Sequence, residues 1–159
     1  SIYSKYGRVL IMSGRYMEAV NAYKKAVNLN KTTNYFGELL EALYLRDGEI
    51  KSEYAEYLSK AVIPEKDRKT PLDYIKLARY CRVIGDYADA EKYLKQAVTM
   101  KLCSSCGYHG CEEGYYELGI LYEVMGEREM AIEAYEKAIE AHGHCYVYEK
   151  RLQDLLENS

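Results

Sequence analysis

Three cysteines fall within nine residues, Cys103, Cys106 and Cys111, with His109 between the last two. Thiolates three positions apart can ligate one metal ion, and Gly107 after Cys106 lets backbone amides turn toward the sulfurs. Cys111 offers a third soft ligand. Four chemistries fit these residues: a closed structural Zn²⁺ site, reduced thiols without a ligand, disulfides, or a thiol redox switch. Disulfides would leave at least one of the five cysteines over. A redox Cys-x-x-Cys normally sits between a strand and a helix, a setting missing here. Haem attachment is excluded by order, because Gly107 and not histidine follows Cys106. Cys81 stands apart, on the packing face of a helical pattern, and reads as a small core residue.

The elements that hold this loop are announced by glycines. Gly14, Gly48, Gly85 and Gly126 are 34, 37 and 41 residues apart, each between two apolar-periodic segments. A period near 34 is the mark of stacked helix–turn–helix units, which bury one face against their neighbours and leave an open surface for binding. Tyrosines and leucines spaced by three and four fall on one helical face. The pattern predicts nine helices, near 1–13, 16–29, 34–46, 50–62, 71–84, 87–100, 113–125, 128–141 and 146–157. Small residues at Gly7, Ala78 and Gly119, and at Ala19, Ala90 and Ala131, let paired helices approach closely. Thr70-Pro71-Leu72-Asp73 reads as a helix start, with a capping hydroxyl, a proline in the first turn and an acid after it. Ser1 opens inside a helical pattern with no evident cap, the mark of a chain trimmed at its start, with room for a leader or further repeats before it. The final segment is amphipathic, with Tyr148, Leu152, Leu155 and Leu156 opposite Glu149, Lys150, Arg151 and Asp154, and suits a helix that caps the last unit.

The residues around those glycines resemble the tetratricopeptide repeat. The first unit reads Tyr3, Tyr6, Gly7, Leu10, Gly14, Tyr16, Ala19, Tyr23, Ala26. The third reads Tyr74, Leu77, Ala78, Cys81, Gly85, Tyr87, Ala90, Leu94, Ala97. The fourth reads Tyr115, Leu118, Gly119, Tyr122, Gly126, Ala131, Tyr135, Ala138. The second unit matches poorly, with Leu40, Tyr44, Gly48, Leu58 and Ala61, and its first small position holds Glu41 or Ala42 depending on register. Pro64 is its closing proline. The resemblance implies an all-α, right-handed helix–turn–helix solenoid in a single domain over 1–159. Its repeats would run about 1–33, 34–69, 70–112 and 113–143, with a capping helix at about 146–157.

It also implies a binding groove, since first helices line the concave face in this family. The groove positions then include Arg8 and Met12 in the first unit, Leu45 and Arg46 in the second, Arg79 and Arg82 in the third, and Tyr116 and Ile120 in the fourth. Apolar patches among guanidinium groups suit a peptide carrying a carboxylate or phosphate. The dicarboxylate clamp of chaperone-binding members needs Lys and Asn where this chain has Ser4 and Arg8, so that activity does not carry over. In a helical solenoid the loops between units share one edge. The segment His142-Gly143-His144-Cys145 would then lie beside the seven-residue insertion at 101–113 and supply a fourth ligand. The expected metal set is Cys103, Cys106 and Cys111 with one of His142, His144 or Cys145, holding one structural Zn²⁺. His109 is the poorest ligand, being too close to Cys111.

Composition narrows the rest. The 159 residues are 48% hydrophobic with 2 Pro and 11 Gly, enough for a continuous core and unlike a disordered chain. Residues 1–111 carry 18 basic and 13 acidic side chains, net +5, and residues 112–159 carry 4 and 12, net −8. Such polarity can orient a partner. Nineteen tyrosines without tryptophan mostly occupy packing positions, and a pI near 5.7 argues against nucleic acid. No apolar run approaches a membrane span, and no phosphate loop, nucleophile elbow or metalloprotease helix is present. The compartment stays open, with the cytoplasm favoured. The expectation is a non-enzymatic scaffold that binds a protein segment, preferably an acidic one. The alternatives are a metal- or redox-responsive regulator acting through Cys103–Cys111, and an array that stacks on copies of itself.

Overall fold

The computed structural model describes residues 1–30, 34–100, 110–142 and 145–158. Among these the architecture is all-α and built of helical repeats. The helices are α1 (Ile2–Met12), α2 (Tyr16–Leu29), α3 (Phe36–Asp47), α4 (Ala55–Ala61), α5 (Pro71–Val83), α6 (Tyr87–Thr99), α7 (Gly110–Met125), α8 (Arg128–His142) and α9 (Tyr146–Glu157). Backbone contacts divide the chain into two compact units. Unit 1 is Ser1–Asp67 with Arg79–Gly85, and unit 2 is Arg68–Ala78 with Asp86–Ser159, so α5 contributes residues to both.

In unit 1, α1 packs on α2, α2 on α3 and α3 on α4. Leu10, Val20, Tyr23, Leu39, Leu40, Leu43, Tyr54 and Val83 form its buried core. The turn after α1 needs a left-handed residue, and Gly14 supplies it at φ 74°. There the amide of Arg15 donates to the carbonyl of Leu10 at 2.9 Å, closing the helix end. A side chain at that φ would cost about 1–2 kcal/mol, and Gly48, Gly85 and Gly126 occupy the same slot. Gly7 answers a different need. A Cβ there would sit 2.9 Å from the ring of Tyr23, so its absence lets α2 lay a tyrosine against α1. Ser1 caps α1 after all, its hydroxyl accepting from the amide of Tyr3 at 3.2 Å.

The second repeat departs most from expectation. Its second helix is short, preceded by one 3-10 turn at Ser52–Tyr54. That turn is tied back to the end of α3, where the Tyr54 hydroxyl donates to Asp47 Oδ2 at 2.6 Å. At the other end Val62 is extended, and Ile63-Pro64 stops the helix. Seven residues before the turn glycine, where Gly7 and Gly119 stand in other repeats, this one holds Glu41. The tyrosine of α4, Tyr57, lies against Phe36 and Tyr54 instead, with ring centres 5.9 and 6.3 Å away.

In unit 2, α6 packs on α7, α7 on α8 and α8 on α9. The start of α5 is the capping box read from the sequence. Thr70 Oγ1 accepts from the amide of Asp73 at 3.3 Å, and Asp73 Oδ2 accepts from the amide of Thr70 at 2.8 Å. Gly119 repeats the part of Gly7, more tightly, since a Cβ would fall 2.3 Å from the ring of Tyr135. The closing helix α9 buries Tyr148 in a stack on Tyr116, with ring centres 4.7 Å apart.

Candidate functional site

Unit 1 buries charge among its first helices. Glu41 on α3 is almost fully enclosed and takes two arginines from different helices. Arg8 Nη1 of α1 lies 3.4 Å from Glu41 Oε1, and Arg82 Nη2 of α5 hydrogen-bonds Glu41 Oε2. One turn away on the same helices, Arg79 Nη1 lies 3.8 Å from Glu38 Oε1, both buried. Helical spacing dictates the gathering: Glu38 and Glu41 are three apart on α3, and Arg79 and Arg82 are three apart on α5. Tyr23 lies among these charges. Burial drives its phenol well above the ordinary tyrosine value; Arg8 and Arg79 pull it down, and Glu38 and Glu41 push it up.

Leaving either partner of such a buried pair alone is expensive, so the cluster holds α1, α3 and α5 residues in fixed register. Three arginines and two glutamates meet in this cluster. Arg8 is the member nearest water, with 22% of its side chain exposed against 4% for Arg79. On the same helical faces one turn further on lie Met12, exposed, and Leu45, half-buried.

Arg46 is engaged elsewhere. Its Nε and Nη2 donate to the two oxygens of Asp47 at 2.8 and 3.0 Å, and Nη2 also donates to Tyr54 at 2.9 Å. These bonds from Arg46 and then Tyr54 hold the Asp47 carboxyl well below the usual range. The same bond to Asp47, with burial after it, pushes Tyr54 up to about 12. Arg8, Arg46, Arg79 and Arg82, read from the sequence as groove cations awaiting an acidic partner, thus each hold a carboxylate of their own unit. Tyr116 and Ile120 belong to unit 2, where Tyr116 is a packing residue between Tyr148 and Tyr135. There Tyr135 donates to Glu123 of α7, and Arg151 Nε of α9 lies 3.0 Å from the same carboxylate.

Glu41 was not singled out in advance as a functional residue. Its signal was present, because a carboxylate in a slot that repeats fill with glycine or alanine must have a partner. Of the expected metal ligands, Cys103, Cys106 and His144 lie outside the described residues, as does His109. Cys111 and His142 fall within α7 and α8, their side chains outside the description. Cys145 is the half-buried residue before α9. Among the described residues no group of three or more His, Cys, Asp or Glu could hold a metal ion. Cys81 is buried, as its helix phase predicted.

Family models of the tetratricopeptide repeat match residues 1–33 and 112–145. The chain carries tetratricopeptide repeats in these two segments. The two matched segments are the hairpins α1–α2 and α7–α8, which carry the Gly7–Tyr23 and Gly119–Tyr135 contacts. Among solved structures, "Crystal structure of MamA protein" is 24% identical, covering 98% of this chain and 85% of that one, with a TM-score of 0.42. "Crystal structure of MamA" is 26% identical, covering 96% and 88%, with a TM-score of 0.45. No curated protein matches significantly. Tetratricopeptide repeats build scaffolds for protein–protein interaction, and this chain is such a scaffold; the family is generally non-enzymatic. Among the described residues no helix is long and apolar enough to cross a membrane.

Proposed function

We propose that the scaffold acts by holding a protein segment on unit 1, with an acidic side chain of the partner seated against Arg8 and Arg82 and apolar side chains on Met12 and Leu45. The observation that carries the reading is the sharing of one carboxylate, Glu41, between two guanidinium groups. A guanidinium has five N–H donors in a fixed fork, so it can hold a second carboxylate beside the first. Glu38 and Glu41 keep the arginines rigid and partly neutralised. The partner therefore meets a preorganised site, which favours specificity over indiscriminate attraction to anions.

The test is fluorescence anisotropy with acidic peptides containing leucine and their Gln/Asn-matched versions. Acidic peptides should bind and weaken as salt rises, because exposed charges are screened over about 10 Å at 0.1 M. Arg8→Ala should reduce binding by about tenfold or more, the loss of one charge-assisted bond. Equal binding of the amide peptides, or an Arg8→Ala variant that binds unchanged, would remove the acidic partner from unit 1.

A further inference from the structure

Unit 2 holds a cleft of its own, with a volume of about 440 Å³, the size of a small-molecule site. Its floor is α7, with Tyr115, Leu118 and Tyr122. One wall is α6, with Lys95 and Val98, and the other is α8, with Ala134 and Lys137. Both walls are fixed to the floor where a side chain is missing. A Cβ on Gly114 would lie 2.6 Å from Val98 of α6, and Gly119 makes room for Tyr135 of α8. Two close approaches on one helix set the width of the cleft before any ligand arrives.

The polar groups of the cleft converge on one phenol. Tyr122 is 5% exposed, and its hydroxyl makes no hydrogen bond to a described residue. Burial first, and then Glu91, raise that phenol above the ordinary tyrosine value; Glu133 adds to them, and Lys95 and Lys137 oppose them. Ammonium groups from both walls therefore act on a single hydroxyl. Each lysine is steadied by a glutamate one turn back on its own helix, Lys95 by Glu91 at 2.5 Å and Lys137 by Glu133 at 3.2 Å. An ammonium has three donors, so each lysine keeps donors for a ligand. Lys137 also rides over the Tyr115 ring, 5.8 Å from its centre.

A ligand that suits this lining has a flat apolar body for Leu118, Ala134 and the Tyr115 ring, and one anionic group for the lysines and the phenol. A carboxylate answers the second need, since its two oxygens accept from ammonium and hydroxyl donors together. We propose that unit 2 binds a small aromatic carboxylic acid in the α6–α7–α8 cleft, its carboxylate held by Lys95, Lys137 and the Tyr122 hydroxyl. Glu91 and Glu133 beside the lysines select a singly charged acid, because a dianion would meet stronger repulsion from both. The site shares no residue with the one proposed on unit 1.

Naphthoate and its neutral counterpart naphthamide test the proposal, titrated into isotope-labelled protein and followed through backbone amide shifts. Naphthoate should give saturable shifts around Val98, Leu118 and Ala134, with a Kd below about 1 mM. Naphthamide, which lacks the charge, should bind about tenfold more weakly. Tyr122→Phe removes one hydroxyl, and Lys95→Ala combined with Lys137→Ala removes both ammoniums. Each protein should keep its helical circular dichroism signal and lose about tenfold in naphthoate affinity. Equal binding of acid and amide would overturn the carboxylate assignment, and so would variants that bind naphthoate as the wild type does. Naphthoate without saturable shifts below that concentration, or with shifts confined to the surroundings of Arg8 in unit 1, would overturn the site itself.

Discussion

The two tyrosines that face missing Cβ atoms, Tyr23 in unit 1 and Tyr135 in unit 2, occupy one repeat position but stand in different electrostatic company. Tyr135 is bonded to Glu123, with Arg151 beside both, one carboxylate against one guanidinium. All three come from α7, α8 and α9, and the arrangement fastens the closing helix. Tyr23 lies among two carboxylates and three guanidiniums drawn from α1, α3 and α5. The same packing contact therefore sits beside a single carboxylate–guanidinium pair in one unit and within a cluster of several in the other. Packing fixes where the repeat puts a tyrosine, and the residues around it decide which helices its charged neighbours tie together.

The contrast is broken most directly at its carboxylates. Glu41→Ala leaves Arg8 and Arg82 without their shared anion and should destabilise the protein by about 3 kcal/mol, the low end for a buried pair because Arg8 meets water. Glu123→Ala, whose partner Arg151 keeps 43% of its side chain exposed, should cost about 1 kcal/mol. Urea unfolding of both variants gives the comparison, and equal losses would erase it. The next test concerns the two close approaches. A Gly→Ala change inside a helix gains about 1 kcal/mol in propensity, and overpacking costs about 1–3 kcal/mol. With three ring atoms of Tyr135 between 2.3 and 2.7 Å, overpacking wins at Gly119→Ala, a net loss of about 1–2 kcal/mol. At Gly7, where the ring atoms start at 2.9 Å, the effects nearly cancel. A Gly7→Ala protein melting well below Gly119→Ala would reverse the tightness assigned to the two hairpins.

Acid sharpens the picture for the turn after α3. Hydrogen bonds from Arg46 and Tyr54 depress the Asp47 carboxyl in the folded state, so its contribution is complete above the ordinary aspartate value of about 4. It is lost as pH falls below that value through the depressed one. The stability gap between wild type and Asp47→Asn should be widest near neutrality and shrink steadily below pH about 4. A gap that does not change with pH would mean that the bonds to Asp47 do not form. The smallest effect belongs to Lys95→Ala, which removes an exposed i,i+4 pair with Glu91 and should move stability by less than about 0.5 kcal/mol.

Helix positions were legible because turn glycines, the Thr70–Asp73 cap and tyrosine–leucine periodicity are local signals. The shortened α4 was not, since the pull of Asp47 on Tyr54 acts across a turn that a periodic pattern reads as helix. The arginines show the limit more sharply. Helix phase put Arg8, Arg79 and Arg82 on inward faces, but their partners lie 33 and 41 residues away in sequence on α3. Only the stacking of helices aligns them. Glu41 appeared in the sequence as a blemish in a weak repeat, and in the fold it is the residue around which two helices' charges are arranged.

That placement bears on how the array can change over time. Repeat proteins lengthen by copying units, and a copied unit works where its neighbours suit it. The second repeat could not be moved or duplicated freely, because Glu41 requires one arginine supplied from the hairpin before it and another from the hairpin after it. Editing position 41 toward the family consensus would raise the resemblance of that repeat while removing the anion its neighbours are built around. The least typical unit is in this sense the one whose address in the array is fixed.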